Sequence, residues 1–413
     1  MPEIIPFRCF YYKEGKDENK LKNLVAPPYD VISEEEIIEF KKRDPNNICH
    51  VILPDSYGAA GQKLNEMIDN NILITEKSEY LFIYGIDFKR PDTGESVSRY
   101  GIVGLLKLVD IFPANDGVIP HEAVFRDVIS DRYRLIRKTD SNESPLFMIY
   151  NGNGSVEKIL KKYLPKKPFL QTVDRDNFLH KIWEIKDVND IKAIQTIIKH
   201  NSVIIADGHH RYITCLRYSK RGGCKYVMAL FIDFNDPGLL IFTNHRQVHN
   251  LSVNNLEEFK ERLEQYFDVQ DVKNLENLKK ILSENKDNHV FGCYFQDTHM
   301  IIKLKDGVRP DKIIPGNHSK EWKNLNLPIL HHMLFKICLN VEEGDVSYIK
   351  EISRGVENVN KGIIKALFIV NYTSLEEVHK ITHLGEIMPH KSTYFYPKPL
   401  SGLIIHKHTV QIE

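Results

Sequence analysis

The chain has 413 residues, which at roughly 150 residues per domain gives two or three domains. Hydrophobic residues make up 42% and charged residues 27%, values of a folded globular chain that exclude disorder, collagen and a disulfide-stapled mini-protein. Lys+Arg and Asp+Glu are both 56, so the formal net charge is zero; this argues against a general nucleic-acid binder and leaves room for a local basic pocket.

The start, MPEIIPFRCFYYKEG, has no apolar run long enough for a signal peptide. Runs such as Leu81–Ile86 and Ile363–Val370 are far shorter than the roughly 20 residues that span a bilayer. Six cysteines are scattered without C-x-x-C spacing, which suggests no zinc ribbon or redox motif and fits a reducing compartment. The expectation is a cytoplasmic chain with no membrane partner.

In chain order, Ser33 followed by Glu34, Glu35 and Glu36 predicts a capped helix that stops before Asp44-Pro45. Leu81–Phe88 and Arg99–Val109 are strand-like, and Pro91-Asp92-Thr93-Gly94 between them reads as a hairpin turn. Ser130–Thr139 reads as a basic helix with Arg132, Arg134, Arg137 and Lys138. The lysines between 158 and 167 read as a solvated face. Val203–Ala206 is a short buried strand, and a helix is expected from Tyr212 to Lys220. Tyr226–Asp233 is another strand. Further on, helices are expected over Leu256–Tyr266, Leu275–Asn285, Ile329–Ile337 and Leu375–Thr382, with strands at His289–Tyr294, Met300–Lys305, Ile363–Val370 and Leu403–His408. Without strict βαβ alternation, the fold class is α+β, with mixed sheets and packed helices, rather than a doubly wound sheet. The polar stretch Asn250–Asn255 is the softest place to cut, giving domains 1–249 and 250–413.

Three segments carry chemistry. In Asp207-Gly208-His209-His210-Arg211 a buried strand runs through a glycine turn into a helix start, where unpaired amides and the helix dipole attract an anion. Arg211 offers planar donors for phosphate oxygens, His209 and His210 can donate or move protons, and Asp207 can hold a magnesium ion or orient a hydroxyl. In the second, Gly385–Pro399, the donors Lys391, Ser392, Thr393 and Lys398 suit a polyanion; the glycines of a Walker A loop are missing. In the third, His121-Glu122 precedes the cations Arg132, Arg137 and Lys138, and Phe125 breaks the H-E-x-x-H spacing of a zinc protease. Glu122 there reads as a base, a metal ligand or a capping acid. Asn244-His245-Arg246 adds paired polar groups after a strand. Pro27-Pro28-Tyr29-Asp30 reads as a rigid structural turn, and His331-His332 as core-edge histidines.

The segments Ala-Pro-Pro-Tyr-Asp-Val-Ile (26–32), Pro-His-Glu (120–122), Ser-Pro-Leu-Phe (144–147), Ala-Asp-Gly-His-His-Arg-Tyr (206–212), Leu-Pro-Ile-Leu-His (327–331) and Met-Pro-His-Lys-Ser-Thr-Tyr-Phe-Tyr-Pro-Lys (388–398) resemble, in order, the domain-of-unknown-function family 1015. Where that family more often has Pro-Thr-His-Arg, this chain has Phe242-Thr243-Asn244-His245-Arg246. The Asp-Gly-His-His-Arg piece is also similar to the phosphate-site motif of free-serine kinases of the ParB/sulfiredoxin-like superfamily.

That second resemblance implies a ParB/sulfiredoxin-like catalytic domain over 1–249, with 250–413 contributing the Lys-Ser-Thr loop. It also implies phosphoryl transfer from pyrophosphate, ADP or ATP to free L-serine, giving O-phospho-L-serine. In that frame Asp207, Glu122 and His210 are catalytic. Gly208, His209, Arg211, Lys391, Ser392, Thr393 and Lys398 bind phosphate; His121, Arg132, Arg137, His245 and Arg246 bind substrate. Mg2+ sits on Asp207. No nucleic-acid partner is expected, and a homodimer is compatible with the residues. The competing readings are a metal-dependent hydrolase and a ParB-like nucleotide-binding regulator.

Overall fold

A computed structural model of the protein describes residues 1–111, 117–253, 255–286 and 288–409. The chain divides into two compact units, Met1–Leu240 with Pro397–Glu413, and Ile241–Tyr396. Both mix sheet and helix, as the α+β class requires.

The first unit is built on a nine-stranded mixed sheet. Its strands are β1 (Ile4–Ile5), β2 (Leu81–Lys89), β3 (Ser96–Lys107), β4 (Val118–Ile119), β5 (Leu146–Tyr150), β6 (Leu170–Val173), β7 (Leu179–Ile185), β8 (Val203–Asp207) and β9 (Tyr226–Asp233). They lie in the order β4-β8-β5-β9-β3-β2-β7-β6, with β1 paired to β3. Pairs β4–β8 and β5–β9 are parallel; the other neighbours are antiparallel. β2 and β3 form the expected hairpin. Leu81–Ile86 and Leu146–Tyr150 are buried at every position, so both sheet faces are covered and these strands read as continuous apolar runs.

Helices close the faces. α1 (Glu34–Arg43) starts at the predicted Ser33 capping box. α2 (Arg126–Thr139) buries Ile129, Tyr133 and Ile136 and turns Arg134 and Arg137 outward. α3 (Val188–Lys199) buries Ile191, Ile194 and Ile198, a stripe at helical spacing. α4 (His209–Ser219) follows β8 directly and begins three residues before the expected Tyr212, because Gly208 takes the left-handed conformation that lets the helix start at once.

In the second unit six antiparallel strands form one sheet: β10 (His245–Val248), β11 (Phe267–Val272), β12 (Val290–Phe295), β13 (Thr298–Leu304), β14 (Val346–Ile349) and β15 (Ala366–Val370), in the order β11-β13-β12-β15-β10-β14. Helices α5 (Leu256–Leu263) and α6 (Leu275–Glu284) match the periodicity, and Ile329–Leu339 forms a π-type helix that buries its apolar side chains except Ile337. Strand β15 begins at Ala366, three residues later than expected; Ile363 is exposed.

The two units divide at 240/241, whereas the cut expected from composition lies at 249/250. β10 lies in the polar approach to residue 250, yet it pairs with β14 and β15 and so belongs to the second sheet. The tail of the chain returns to the first unit. Ser401 and Ala26 exchange backbone hydrogen bonds of 2.8 and 3.2 Å, Phe10 and Ile405 do the same at 2.8 and 2.9 Å, and His406–Lys407 pair with Ser141–Asn142. Of the expected strand Leu403–His408 only His406–Lys407 are strand. Ile405 is 1% exposed, so a cavity there removes core contacts. Ile405→Ala is expected to lower the unfolding free energy of the first unit by about 2–5 kcal/mol in urea titration; a change under 0.5 kcal/mol contradicts the packing of the tail.

Candidate functional site

Strand β8 ends in a bulge. Ile205 faces Met148 and Asp207 faces Phe147, so Ala206 is the extra residue and Asp207 is re-aimed at the strand's end. Gly208 follows with φ +94°, where a Cβ would meet Leu146 Cδ2 at 2.7 Å and Arg211 Nη2 at 2.9 Å. Here glycine is required both by conformation and by space. No side chain caps α4, and the amides of His209 and Arg211 donate to no group among the described residues. An open, positively polarised helix start therefore sits beside Asp207.

Asp207 binds two cations. Lys398 Nζ lies 2.6 Å from Oδ1, and Arg211 Nη2 donates to Oδ2 at 3.1 Å. Lys398 is also ion-paired with Asp30, 368 positions away in the sequence. The lysine side chain is 9% exposed. Burial works against its charge, but Asp207 and Asp30 outweigh it and raise its pKa. Burial would lift the Asp30 carboxyl, and Lys398 outweighs that, holding it below the usual carboxylate range. Arg211 Nη1 donates to Ser144 Oγ at 2.8 Å and to the Pro145 carbonyl at 3.1 Å. The result is an alternating array, Asp30, Lys398, Asp207, Arg211, Ser144.

Neighbouring contacts set that array. Arg99, 1% exposed, donates to the Pro397 carbonyl at 2.5 Å, and the Leu400 amide donates to Tyr84 Oη at 2.9 Å. With the Ala26–Ser401 pairing they fix the segment carrying Lys398 beside the one carrying Asp30. The Pro27–Asp30 turn, read from the sequence as structural, thus places a charged partner in the site.

The histidines face inward. The His121 amide donates to His209 Nε2 at 3.1 Å, and His121 Nδ1 donates to the Ile205 carbonyl at 2.6 Å. The Phe125 amide donates to His210 Nε2 at 2.9 Å, and the two rings stack at 5.9 Å. His209 and His210 therefore clamp the 121–125 segment through their acceptor nitrogens, and His209 Nδ1 lies 3.9 Å from Glu122 Oε2. His121, expected to bind substrate, is 1% exposed with its ring bonded to β8. Burial pushes its pKa down to about 4 and takes that of His209 well below the ordinary value.

Arg132 pairs with Asp131, donates to the Ile52 carbonyl and lies 4.3 Å above the Tyr29 ring; Arg137 is exposed on α2. Tyr29, Arg132, Glu143, Ser144 and Arg211 help line a small pocket. Burial raises the Glu143 carboxyl, with the Ser141 hydroxyl bonded to it working the other way.

His245, Arg246, Lys391, Ser392 and Thr393 belong to the second unit. Ser392, expected as an open phosphate donor, is 2% exposed and its hydroxyl donates to the Pro389 carbonyl. His245 is buried and its Nδ1 accepts the Val370 amide.

The residues do not fit a resident magnesium ion on Asp207. Both of its oxygens are taken by cations, and among the described residues no three His, Cys, Asp or Glu side chains come together as a metal site. That donor set is also what the hydrolase reading needs. Among the described residues no helix is long and apolar enough to cross a membrane.

These features define a mixed α+β protein with a charge-paired strand-to-helix turn. The chain belongs to DUF1015, described as a protein of unknown function, whose model matches residues 4–327. Lys398 and the Lys391 turn lie beyond the matched stretch. No curated protein matches the chain. Among solved structures it is similar to a conserved hypothetical protein from Pyrococcus furiosus (16% identity, 68% of this chain and 90% of that one, TM-score 0.31). It is also similar to a free serine kinase in complex with AMP (16% identity, 74% and 100%, TM-score 0.34) and to C-terminally truncated SbnI from Staphylococcus aureus (13%, 71% and 82%, TM-score 0.32). No residue role follows from likenesses at this level.

The buried histidines give the unit a pH dependence. The folded pKa of His121 lies below the unfolded value near 6.5, so the unfolded chain takes up the proton first. Stability present above about pH 6.5 is lost as pH falls toward 4. His121 alone accounts for about 3 kcal/mol of that loss. Urea titrations at pH 7 and 4.5 should show the decline, and His121→Gln should make it shallower; equal slopes in the two proteins contradict the assignment.

Proposed function

We propose that the first unit transfers a phosphoryl group to the hydroxyl of free L-serine, giving O-phospho-L-serine, with pyrophosphate, or ADP or ATP, as donor. The observation that carries the reading is Lys398, buried between Asp30 and Asp207 beside the uncapped start of α4. Phosphoryl transfer asks for positioned positive charge far more than for covalent chemistry. The amides of His209 and Arg211, together with Lys398, supply it at one point. The Asp-Gly-His-His-Arg similarity to the free-serine kinases supports the same reading, and so does the ParB/sulfiredoxin-like core it implies.

In this reading the transferring phosphoryl group lies at Gly208 and the helix start, and Arg211 holds Asp207 and the Ser144 turn around it. The bond from the serine oxygen to phosphorus forms as the bridging P–O bond of the donor breaks. The departing phosphate (or the shortened nucleotide) carries the negative charge that Lys398 faces. Glu122 takes the hydroxyl proton, since Asp207 is already ion-paired twice. His209 and His210 position Glu122 through the 121–125 segment. The pocket bounded by Arg132, Glu143 and Arg211 takes the amino acid, its carboxylate toward Arg132 and its ammonium toward Glu143. Magnesium is assigned to the donor, as its salt.

The test is to incubate the full chain with L-serine and magnesium and, separately, pyrophosphate, ADP or ATP, and to measure O-phospho-L-serine. Product is expected with at least one donor. Lys398→Met should reduce kcat/KM about 100-fold or more, the scale of removing one charge-stabilising group. No product with any donor contradicts the proposal.

A further inference from the structure

Arg246 is 0% exposed, and its partners are unusual for a buried guanidinium. Nε donates to His331 Nε2 at 3.2 Å, Nη1 to the Asn244 carbonyl, and Nη2 to the Lys391 carbonyl at 3.5 Å. Five N–H donors thus meet three acceptors, all of them neutral. Among the described residues no carboxylate is paired with it. The Tyr348 ring lies 5.2 Å from its centre. Burial lowers its pKa to about 10, and Tyr348 alone opposes that. Burial takes Arg99 in the first unit down to about 10 as well, although Asp236 and Tyr84 work against it. A buried charge without a counter-ion is retained only against a large desolvation penalty.

The surroundings add positive charge and one carboxylate, Glu343, whose charge is felt by His390 and Tyr348. Lys391 is exposed and takes φ +56°, a left-handed conformation uncommon for a lysine. The turn that forces this is closed by Ser392, whose amide donates to the Pro389 carbonyl at 3.2 Å and whose hydroxyl bonds the same oxygen. The preceding His390 lies 6.3 Å from the Tyr348 ring. Burial and then Arg246 push the His331 pKa down to about 3, so the imidazole that receives Nε is neutral. The weakest of the three Arg246 contacts, the 3.5 Å one, points to the strained turn.

We infer that the second unit carries an oxyanion site of its own, in which Arg246 beneath the His390–Lys391 turn supplies the charge for a phosphate or diphosphate group. The oxyanion sits against the turn, meets the Lys391 ammonium, and takes the Nη2 donor that the Lys391 carbonyl holds only at long range. It provides the ion-pair partner that Arg246 does not find among the described carboxylates. The site goes beyond the transfer reading, which places no ligand on this unit, and depends on it for nothing.

The experiment is a titration of the full chain with inorganic phosphate, pyrophosphate and ADP, followed by the NMR signals of the His331 and His390 imidazoles, which report on this turn alone. Both signals are expected to shift saturably with at least one of the three ligands. Lys391→Ala should weaken the apparent affinity at least tenfold, Arg246→Met should abolish the response, and Arg246→Lys should keep part of it. Signals unmoved by all three ligands, or unchanged affinity in Lys391→Ala, overturn the site. Lys391 is exposed, so that variant decides the matter even if Arg246→Met fails to fold. Phosphoserine formation without any imidazole shift contradicts this site and leaves the transfer reading standing; shifts without phosphoserine do the reverse.

Discussion

The ammonium of Lys398 sits between the carboxylates of Asp30 and Asp207, and much of the first unit is arranged so that it can. A charge that far from water persists only where counter-charges meet it closely. Three stretches of chain must therefore be correctly placed at once. Strand β8 brings Asp207, the turn after Ala26 brings Asp30, and the returning tail brings the lysine. Arg99 on the Pro397 carbonyl, Tyr84 on the Leu400 amide and the Ala26–Ser401 pairing hold the last two in register. The array is a mutual constraint: displacing any member leaves an uncompensated charge on the next.

The helix start has the opposite character. It is left open, with polarised amides and no capping side chain, next to a cluster whose cations are already paired. A closed charge network beside an open donor set gives a site that is ordered before a ligand arrives, the condition under which fixed dipoles act most strongly on developing charge. The histidines contribute from behind. Buried and uncharged, they spend their acceptor nitrogens on the 121–125 segment and so fix where Glu122 stands.

Much of the local structure was legible in the sequence. The Ser33 capping box, the 81–107 hairpin, the strand before Asp207 and the periodic helices 256–263 and 275–284 follow from patterns only a few residues long. What escaped was long-range. Leu146–Tyr150 and Leu179–Ile185 are interior strands of the sheet whose place is set by their pairing partners. The return of residues 397–409 to the first unit depends on pairings with segments more than 250 positions earlier. Asp30 was missed for the same reason. Pro-Pro-Tyr-Asp reads locally as a stiff turn, and its chemical meaning comes from Lys398. The hint available was that residues 26–32, like 388–398, are among the stretches that resemble the family. His121 and Ser392 erred the other way: their polarity suggested ligand contact, while the fold uses them to satisfy its own carbonyls.

Membership of DUF1015 sets the family and leaves the chemistry to the residues. We propose that the open start of α4 and the buried Lys398 together receive an oxyanion. A crystal structure of the full chain with pyrophosphate bound tests it most directly. Phosphate oxygens are expected within hydrogen-bond distance of the His209 or Arg211 amide and of Lys398 Nζ. Density for the ligand elsewhere, with the Gly208 turn holding only water, would contradict it.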